Sequence, residues 1–183
     1  RFYHLFAGLE RAYGTYKTDS ADIREDGKIG GRATTMRGTV TPSLWRDHLN
    51  GKSSLGIVPI NDQGECQFGA IDIDVYNLDI ESVIVKLEPL KTKLVPCLSK
   101  SGGLHLYMFT EEWIPAATMQ KKLKEIAATI GYGQSEIFPK QTKLLVSRGD
   151  VGGWINMPYF DIKKGTRVMV GRGGQTFSSD EFL

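Results

Sequence analysis

The run Phe68-Gly69-Ala70-Ile71-Asp72-Ile73-Asp74-Val75 constrains this chain more than any other stretch. Its apolar and charged residues alternate with period two, the period of a strand, whose successive side chains leave on opposite faces. Ile71, Ile73 and Val75 therefore take one face, and Asp72 and Asp74 the other. The apolar face needs a core to cover it, while the opposite face has to tolerate two like charges. At about 3.3 Å rise per residue the two carboxylates start roughly 6–7 Å apart. Unpaired, they repel; across that span they can clamp one or two hard cations with oxygen ligands. The alternative is an edge strand with a solvated polar face, and the apolar residues packed closely around the pair argue against it.

Three further stretches carry chemistry. Ser99-Lys100-Ser101-Gly102-Gly103 is a small, glycine-rich turn that runs into the alternating strand Leu104-His105-Leu106-Tyr107. Gly102 and Gly103 let backbone amides approach an anion closely, and Ser99, Ser101 and Lys100 add donors and positive charge suited to phosphate oxygens. His105 projects beside that turn. Alone, such a turn is an ordinary hairpin and such a histidine structural; beside an aspartate pair both gain weight. In Ser135-Glu136-Ile137-Phe138-Pro139-Lys140-Gln141, Glu136 offers a third carboxylate for an acidic metal cluster, and Lys140 is a cation placed to meet phosphate. A surface Glu–Lys pair is the plain alternative. Finally, Arg148 and Gly153-Trp154-Ile155-Asn156-Met157-Pro158-Tyr159 set a guanidinium, aromatic faces and the Asn156 amide within one short stretch, a mixture suited to a base, a sugar or a single strand. Trp154 reads rather as a core aromatic.

Around these motifs the pattern predicts an α/β sandwich on a mainly antiparallel sheet. Phe2, Leu5, Phe6, Leu9 and Tyr13, followed by Gly14, predict an opening amphipathic helix. Residues 15–40 lose periodicity and read as a long loop. Thr41-Pro42 starts a short helix through Trp45, His48 and Leu49, with His48 on its surface. Gly56–Ile60 and Phe68–Val75 are expected to form a hairpin. Helices follow through Ile80–Leu87 and from Pro115 to Ile130, with strands at Leu94–Leu98, Leu104–Phe109, Ser135–Phe138, Leu144–Ser147, Trp154–Met157 and Val168–Val170. Ser178 starts a last helix.

With 183 residues and 40% hydrophobic content the chain can bury one sizeable core. Its 23 Lys and Arg against 21 Asp and Glu leave a net charge of +2, which excludes wrapping of nucleic acid by bulk charge and leaves local basic patches, such as Lys163 and Lys164 with Arg167 and Arg172. Two separated cysteines, Cys66 and Cys97, make neither a zinc knuckle nor a disulfide framework, so no zinc is expected. No stretch is apolar enough to span a membrane, and a soluble, cytoplasmic protein is expected. Arg1 at the start and the helix beginning near Leu183 suggest a piece of a longer polypeptide.

Taken in order, these residues resemble the archaeo-eukaryotic primase superfamily, in particular the primase-polymerase domains of phage and plasmid replication proteins. Its acidic strand motif corresponds to Asp72 and Asp74 of AIDIDVY. Its small-residue-then-histidine motif corresponds to Gly103 and His105 of SKSGGLHLY. Its third acidic residue corresponds to Glu136 of SEIFPKQ, with Asp150 and Asp161 as competitors because the family usually has Asp there. GWINMPYF looks like the stretch that closes the nucleotide pocket.

The resemblance implies an α+β fold: a catalytic sheet of the RNA-recognition type (residues 54–175) joined to a smaller α/β N-terminal unit (1–53). It implies template-directed nucleotidyl transfer with two Mg²⁺ or Mn²⁺ ions on Asp72, Asp74 and Glu136. Ser99, Lys100, Ser101, Gly102, Gly103, His105, Lys140, Arg148 and Asn156 would bind the nucleotide. Partners implied are NTP or dNTP substrates, a single-stranded DNA template, and a helicase or accessory domain downstream. A metal-dependent nuclease and a non-catalytic single-strand binder of the RNA-recognition type are the competing readings.

Overall fold

The computed structural model describes residues 1–23 and 29–183, and for residues 17–23 and 29–31 the backbone alone. Along the chain run α1 (Phe2–Leu5), β1 (Ala12–Ile23), β2 (Ile29–Arg37), α2 (Pro42–Leu49), β3 (Gly56–Ile57), β4 (Glu65–Ile73), α3 (Ile80–Leu87), β5 (Val95–Leu98) and β6 (Leu104–Pro115). They are followed by α4 (Ala116–Thr129), β7 (Glu136–Phe138), β8 (Ile155–Asn156), β9 (Met169–Val170), β10 (Thr176–Phe177) and α5 (Ser179–Phe182). The strands make a six-stranded sheet in the order β10-β9-β5-β6-β4-β7 and a four-stranded sheet in the order β2-β1-β3-β8. The pairings are antiparallel. Within the larger sheet, β4-α3-β5-β6-α4-β7 with spatial order β5-β6-β4-β7 is the split β-α-β-β-α-β arrangement of RNA-recognition folds.

Period-two alternation divides the core. On one face Ile71, Ile73, Leu104 and Leu106 pack with Val83 and Ile84 of α3 and Met119, Leu123 and Ile126 of α4. On the other, Phe68, Ala70, Cys97, Tyr107 and Phe138 pack with Ile57 and Ile155 of the second sheet and with Phe2, Phe6 and Trp45. The result is helices, sheet and sheet in three layers, with Asp72 at the end of the buried seam between the two sheets. The helices start as the sequence signals: Thr41 accepts from Leu44 N, Asp79 from Ser82 N, and Ser178 and Glu181 form a capping box.

Several sequence expectations are corrected. The opening helix stops at Leu5, and Tyr13 and Gly14 belong to β1. The expected loop at 15–40 is mostly a β-ribbon, with Thr15 facing Thr34 and Tyr16 facing Ala33; its threonines favour strands, while residues 24–28 lie outside the described ones. The expected hairpin does not form, because β3 pairs with β1 and β8 and β4 lies in the other sheet. Val75 lies beyond the end of β4 and is exposed. Leu144–Ser147 is no strand, since Val146–Arg148 forms a 3-10 turn. Both cysteines are free and buried.

His48, expected on the surface, is completely buried. Leu55 N donates to its Nδ1 at 3.0 Å, and its Nε2 donates to the Pro158 carbonyl at 2.8 Å, a pattern that requires the neutral ring. Burial, and secondarily the charge of Arg167, push its pKa down to about 4. A histidine depressed in the folded state stabilises it fully above the unfolded value of about 6.5 and loses that contribution as pH falls toward 4. Urea titrations at pH 7 and pH 4.5 should show a loss of about 2–3 kcal/mol that His48→Gln removes; an identical pH dependence in the variant would contradict this account.

Candidate active site

Pairing register carries the site. In the six-stranded sheet Asp72 lies opposite His105 of β6 on one side and opposite Glu136 of β7 on the other, and cross-strand partners share a face. Glu136, Asp72 and His105 therefore form one row across three strands, on the face turned toward the second sheet. His105 is buried and its Nε2 stands 3.4 Å from Asp72 Oδ1. Glu136 is exposed and pairs with Lys140 at 2.8 Å; the lysine also sits 5.0 Å from the centre of the Phe138 ring.

The glycine-rich turn closes the row at the end of β4. A Cβ on Gly103 would stand 2.1 Å from the Ile73 carbonyl oxygen, so only glycine lets the turn come this close to the strand end. Ser99 Oγ, 3.0 Å from the Ser101 hydroxyl, accepts from Gly103 N at 3.0 Å, and Ser101 donates to Asp74 Oδ1 at 2.8 Å. Gly102, at φ +91°, has open space on its Cβ side. Lys100 lies over the Tyr16 ring of β1, 3.0 Å from its centre.

Two hollows meet at this row. One of about 380 Å³ is lined by Asp72, His105, Glu136, Phe138 and Lys140 from the larger sheet and by Ala33, Thr35, Trp154 and Asn156 opposite. The other, about 740 Å³, is bordered by Asp72, Asp74 and Glu136 with the Gly131–Ser135 connection. Trp154 lies over Gly14 and Gly56, cross-strand partners whose added Cβ atoms would fall 1.9 Å and 2.2 Å from its ring, and its Nε1 donates to Thr35 at 3.1 Å. It is partly buried and lines the first hollow, so the core reading of this residue captures one side of the ring and misses the other.

The His105 ring is set from behind. Tyr107, wholly buried, donates its hydroxyl to the Asn156 carbonyl at 2.8 Å. With that proton committed, the 3.1 Å contact between Tyr107 and His105 requires His105 Nδ1 to be the donor. Nε2 is thereby turned to Asp72. Burial drives the Tyr107 pKa well up, so the hydroxyl keeps its proton.

Asp72, Asp74 and Glu136 are hard oxygen donors of the kind Mg²⁺ and Mn²⁺ take, and they open onto one hollow. Among the described residues no three His, Cys, Asp or Glu side chains lie close enough together to hold one metal ion, so the three carboxylates border the hollow without converging on a point. Of the other residues singled out from sequence, Asn156 lines the first hollow, whereas Arg148 sits in the exposed Val146–Arg148 turn and borders neither. Asp150 accepts from Leu145 N, and Asp161 caps the Ile162–Lys164 turn and pairs with Lys164, so neither competes with Glu136 for the row. Sequence reading missed Ala33, Thr35 and Tyr107. The glycines at 14 and 56, each falling in a strand, were the available sign of a close approach.

Tyr107→Phe should release His105 Nδ1 and leave the Asn156 carbonyl without its donor, at a cost of about 1–3 kcal/mol. Nitrogen NMR of the imidazole is the check: loss of the Nδ1-protonated signature in the variant is expected, and an unchanged ring spectrum would contradict the arrangement.

No curated protein matches the chain. A model of the archaeo-eukaryotic primase domain of the TOTE conflict system matches residues 16–170, a span that contains the row, the glycine-rich turn and every strand except β10 and the first residues of β1. On that match, supported by the RNA-recognition-type sheet that carries the row, the chain belongs to the archaeo-eukaryotic primase family.

Proposed function

We propose that this domain performs template-directed nucleotidyl transfer, a primase or polymerase reaction, at the row formed by Asp72, His105 and Glu136. Family membership gives the general class, primase-type nucleotidyl transfer on nucleotide and nucleic-acid substrates. The matching family is described by a conflict system, so the phage or plasmid replication setting, and a downstream helicase, rest on the sequence resemblance alone. The observation that carries the reading is that Asp72, Asp74 and Glu136 border one hollow while His105 and Lys140 stand beside it in the adjoining one.

In this reading Asp72, Asp74 and Glu136 would hold divalent ions, which when bound would supply positive charge to phosphate and lower the pKa of an attacking 3′-hydroxyl. Ser101 orients Asp74 through its 2.8 Å hydrogen bond, and Ser99 holds the turn so that the Gly102 and Gly103 region can approach an anion. His105, with its ring fixed by Tyr107, presents Nε2 to the site. Lys140 and Lys100 supply positive charge as pyrophosphate leaves. Trp154, pinned on one side by glycines, offers an aromatic wall to a base or sugar.

The test is extension of a labelled primer on a single-stranded template with Mg²⁺ or Mn²⁺. Asp72→Ala with Asp74→Ala should lower extension by about a hundredfold or more, and Glu136→Ala by about tenfold or more. Extension by the double variant at the parent's rate would overturn the assignment. Metal-dependent cleavage of the template strand without nucleotide incorporation would transfer the site to a nuclease.

A further inference from the structure

Followed away from Asp72, β4 leads to a second hollow that the proposed reaction leaves unused. Gln67 lies five residues before Asp72, roughly 17 Å along the strand at about 3.3 Å per residue. It lines a hollow of about 450 Å³ together with Tyr3, Phe6, Glu10 and Trp113. A neighbouring hollow of about 400 Å³ shares Glu10 and Trp113 and runs on to Asn61, Asp62 and Gln63. The two make one groove with an indole ring and a carboxylate in its middle; Asp62, at its end, is already paired with Arg11 at 2.7 Å.

A hydrogen-bonded bulge puts the tryptophan there. β6 pairs Phe109 with Phe68 and Ile114 with Cys66, so the four residues Thr110–Trp113 stand opposite Gln67 alone. Gln67 Nε2 donates to the Glu111 carbonyl at 3.1 Å, and the Thr110 hydroxyl lies 3.2 Å from the Gln67 carbonyl and 2.9 Å from that of Glu112. A bulge held in this way re-aims the side chains it carries. Trp45 and Trp154 pack with the two apolar clusters of the core, whereas Trp113 joins neither. It is partly buried, and Glu111 and Glu112 just before it are exposed. Among the described residues no Lys, Arg or His pairs with Glu10, Glu111 or Glu112.

These features select the occupant. Uncompensated carboxylates around a partly exposed indole repel nucleic acid and attract a cation. A Lys or Arg side chain fits both, with its aliphatic stem on the ring and its charge beside the carboxylates. The backbone favours a peptide over a small free cation. In the segment between α1 and β1 that borders the groove, the Leu9 amide donates to Val58 and the Glu10 carbonyl accepts from Val40, but the Ala7 and Gly8 amides meet no protein acceptor among the described residues. An extended peptide brings carbonyls to such amides. We infer that this groove is a docking site for a polypeptide segment of a partner protein. The segment sets a Lys or Arg against Trp113 and Glu10, in the negative field of Glu111 and Glu112, and an adjacent apolar side chain in the hollow lined by Tyr3 and Phe6. Docking there needs nothing from the Asp72 row.

Fluorescence anisotropy with a labelled synthetic peptide of alternating lysine and leucine tests this on the parent, on Trp113→Ala, on Glu10→Gln and on Glu111→Gln with Glu112→Gln. The parent should bind the peptide, and should not bind one in which glutamate replaces lysine. Affinity should fall about tenfold or more in Trp113→Ala and in Glu10→Gln, and about threefold or more in the Glu111 and Glu112 double variant. Parent-like affinity in any of the three, or no binding by the parent, overturns the inference. If thermal unfolding shows that Trp113→Ala does not fold, the two glutamine variants, at exposed positions, decide in the same terms. Two further outcomes give the groove to another occupant and overturn the inference: an oligodeoxythymidylate that binds the parent but not Trp113→Ala, or a dimer of the parent in sedimentation that Trp113→Ala abolishes.

Discussion

Strand register is the constraint on which the rest depends. Glu136, Asp72 and His105 share a row because β7, β4 and β6 pair in one alignment, and that alignment is set by what lies on the opposite face. Ile71 and Ile73 are fully buried against α3 and α4. A slip of one residue in β4 would turn both toward the site and send Asp72 into the helix-side core. Each isoleucine contributes roughly 1.5–3 kcal/mol by burial, and a carboxylate placed in apolar surroundings without a partner costs several more. The slipped arrangement therefore loses on both counts, and the helix-packed face holds the chemistry of the other face in place.

The second sheet supplies what a single sheet of the RNA-recognition type lacks. It covers the Phe68, Ala70, Tyr107 and Phe138 side of the larger sheet and turns its surface into a seam with an open end. Gly14 and Gly56 let the Trp154 ring lie against that sheet, and Thr35 takes its indole proton. Asn156 is the junction: its carbonyl receives Tyr107, which orients His105, and its side chain receives Ser54, which reaches Arg167. Buried polar groups linked in this way fix one another's geometry, and here the linked groups run from one sheet to the other beneath the hollow.

The acidic strand was legible because period-two alternation of β-branched and charged residues has no helical reading, and α3 and α4 were legible from 3.6-residue periodicity with flanking capping or proline signals. The β-ribbon was not: Phe2, Leu5, Phe6, Leu9 and Tyr13 imitate a helical stripe, and the glycines of the following stretch resemble a loop. Strands of two residues such as β3 and β8 carry no period, so their pairing and the second sheet could not be read. Asp72, Asp74 and Glu136 were singled out from residue type and motif order, and the fold sets all three at the border of one hollow. The Tyr107–Asn156–Ser54–Arg167 chain was not, since its members are far apart in sequence and each is ordinary alone. His48 looked like a surface residue because a polar side chain on a short amphipathic helix normally is one; its two backbone partners, from Leu55 and Pro158, arise from tertiary folding.

The proposed reaction needs Asp72, Asp74 and Glu136 to form together a cation site that works with a nucleotide. Crystals soaked with Mn²⁺ and a non-hydrolysable nucleoside triphosphate, examined by anomalous scattering at the manganese edge, test it directly. Manganese peaks are expected in the hollow bounded by those three carboxylates, with the phosphates between them and the Ser99–Gly103 turn. Manganese bound elsewhere, or a nucleotide seated away from the Asp72 row, would contradict it.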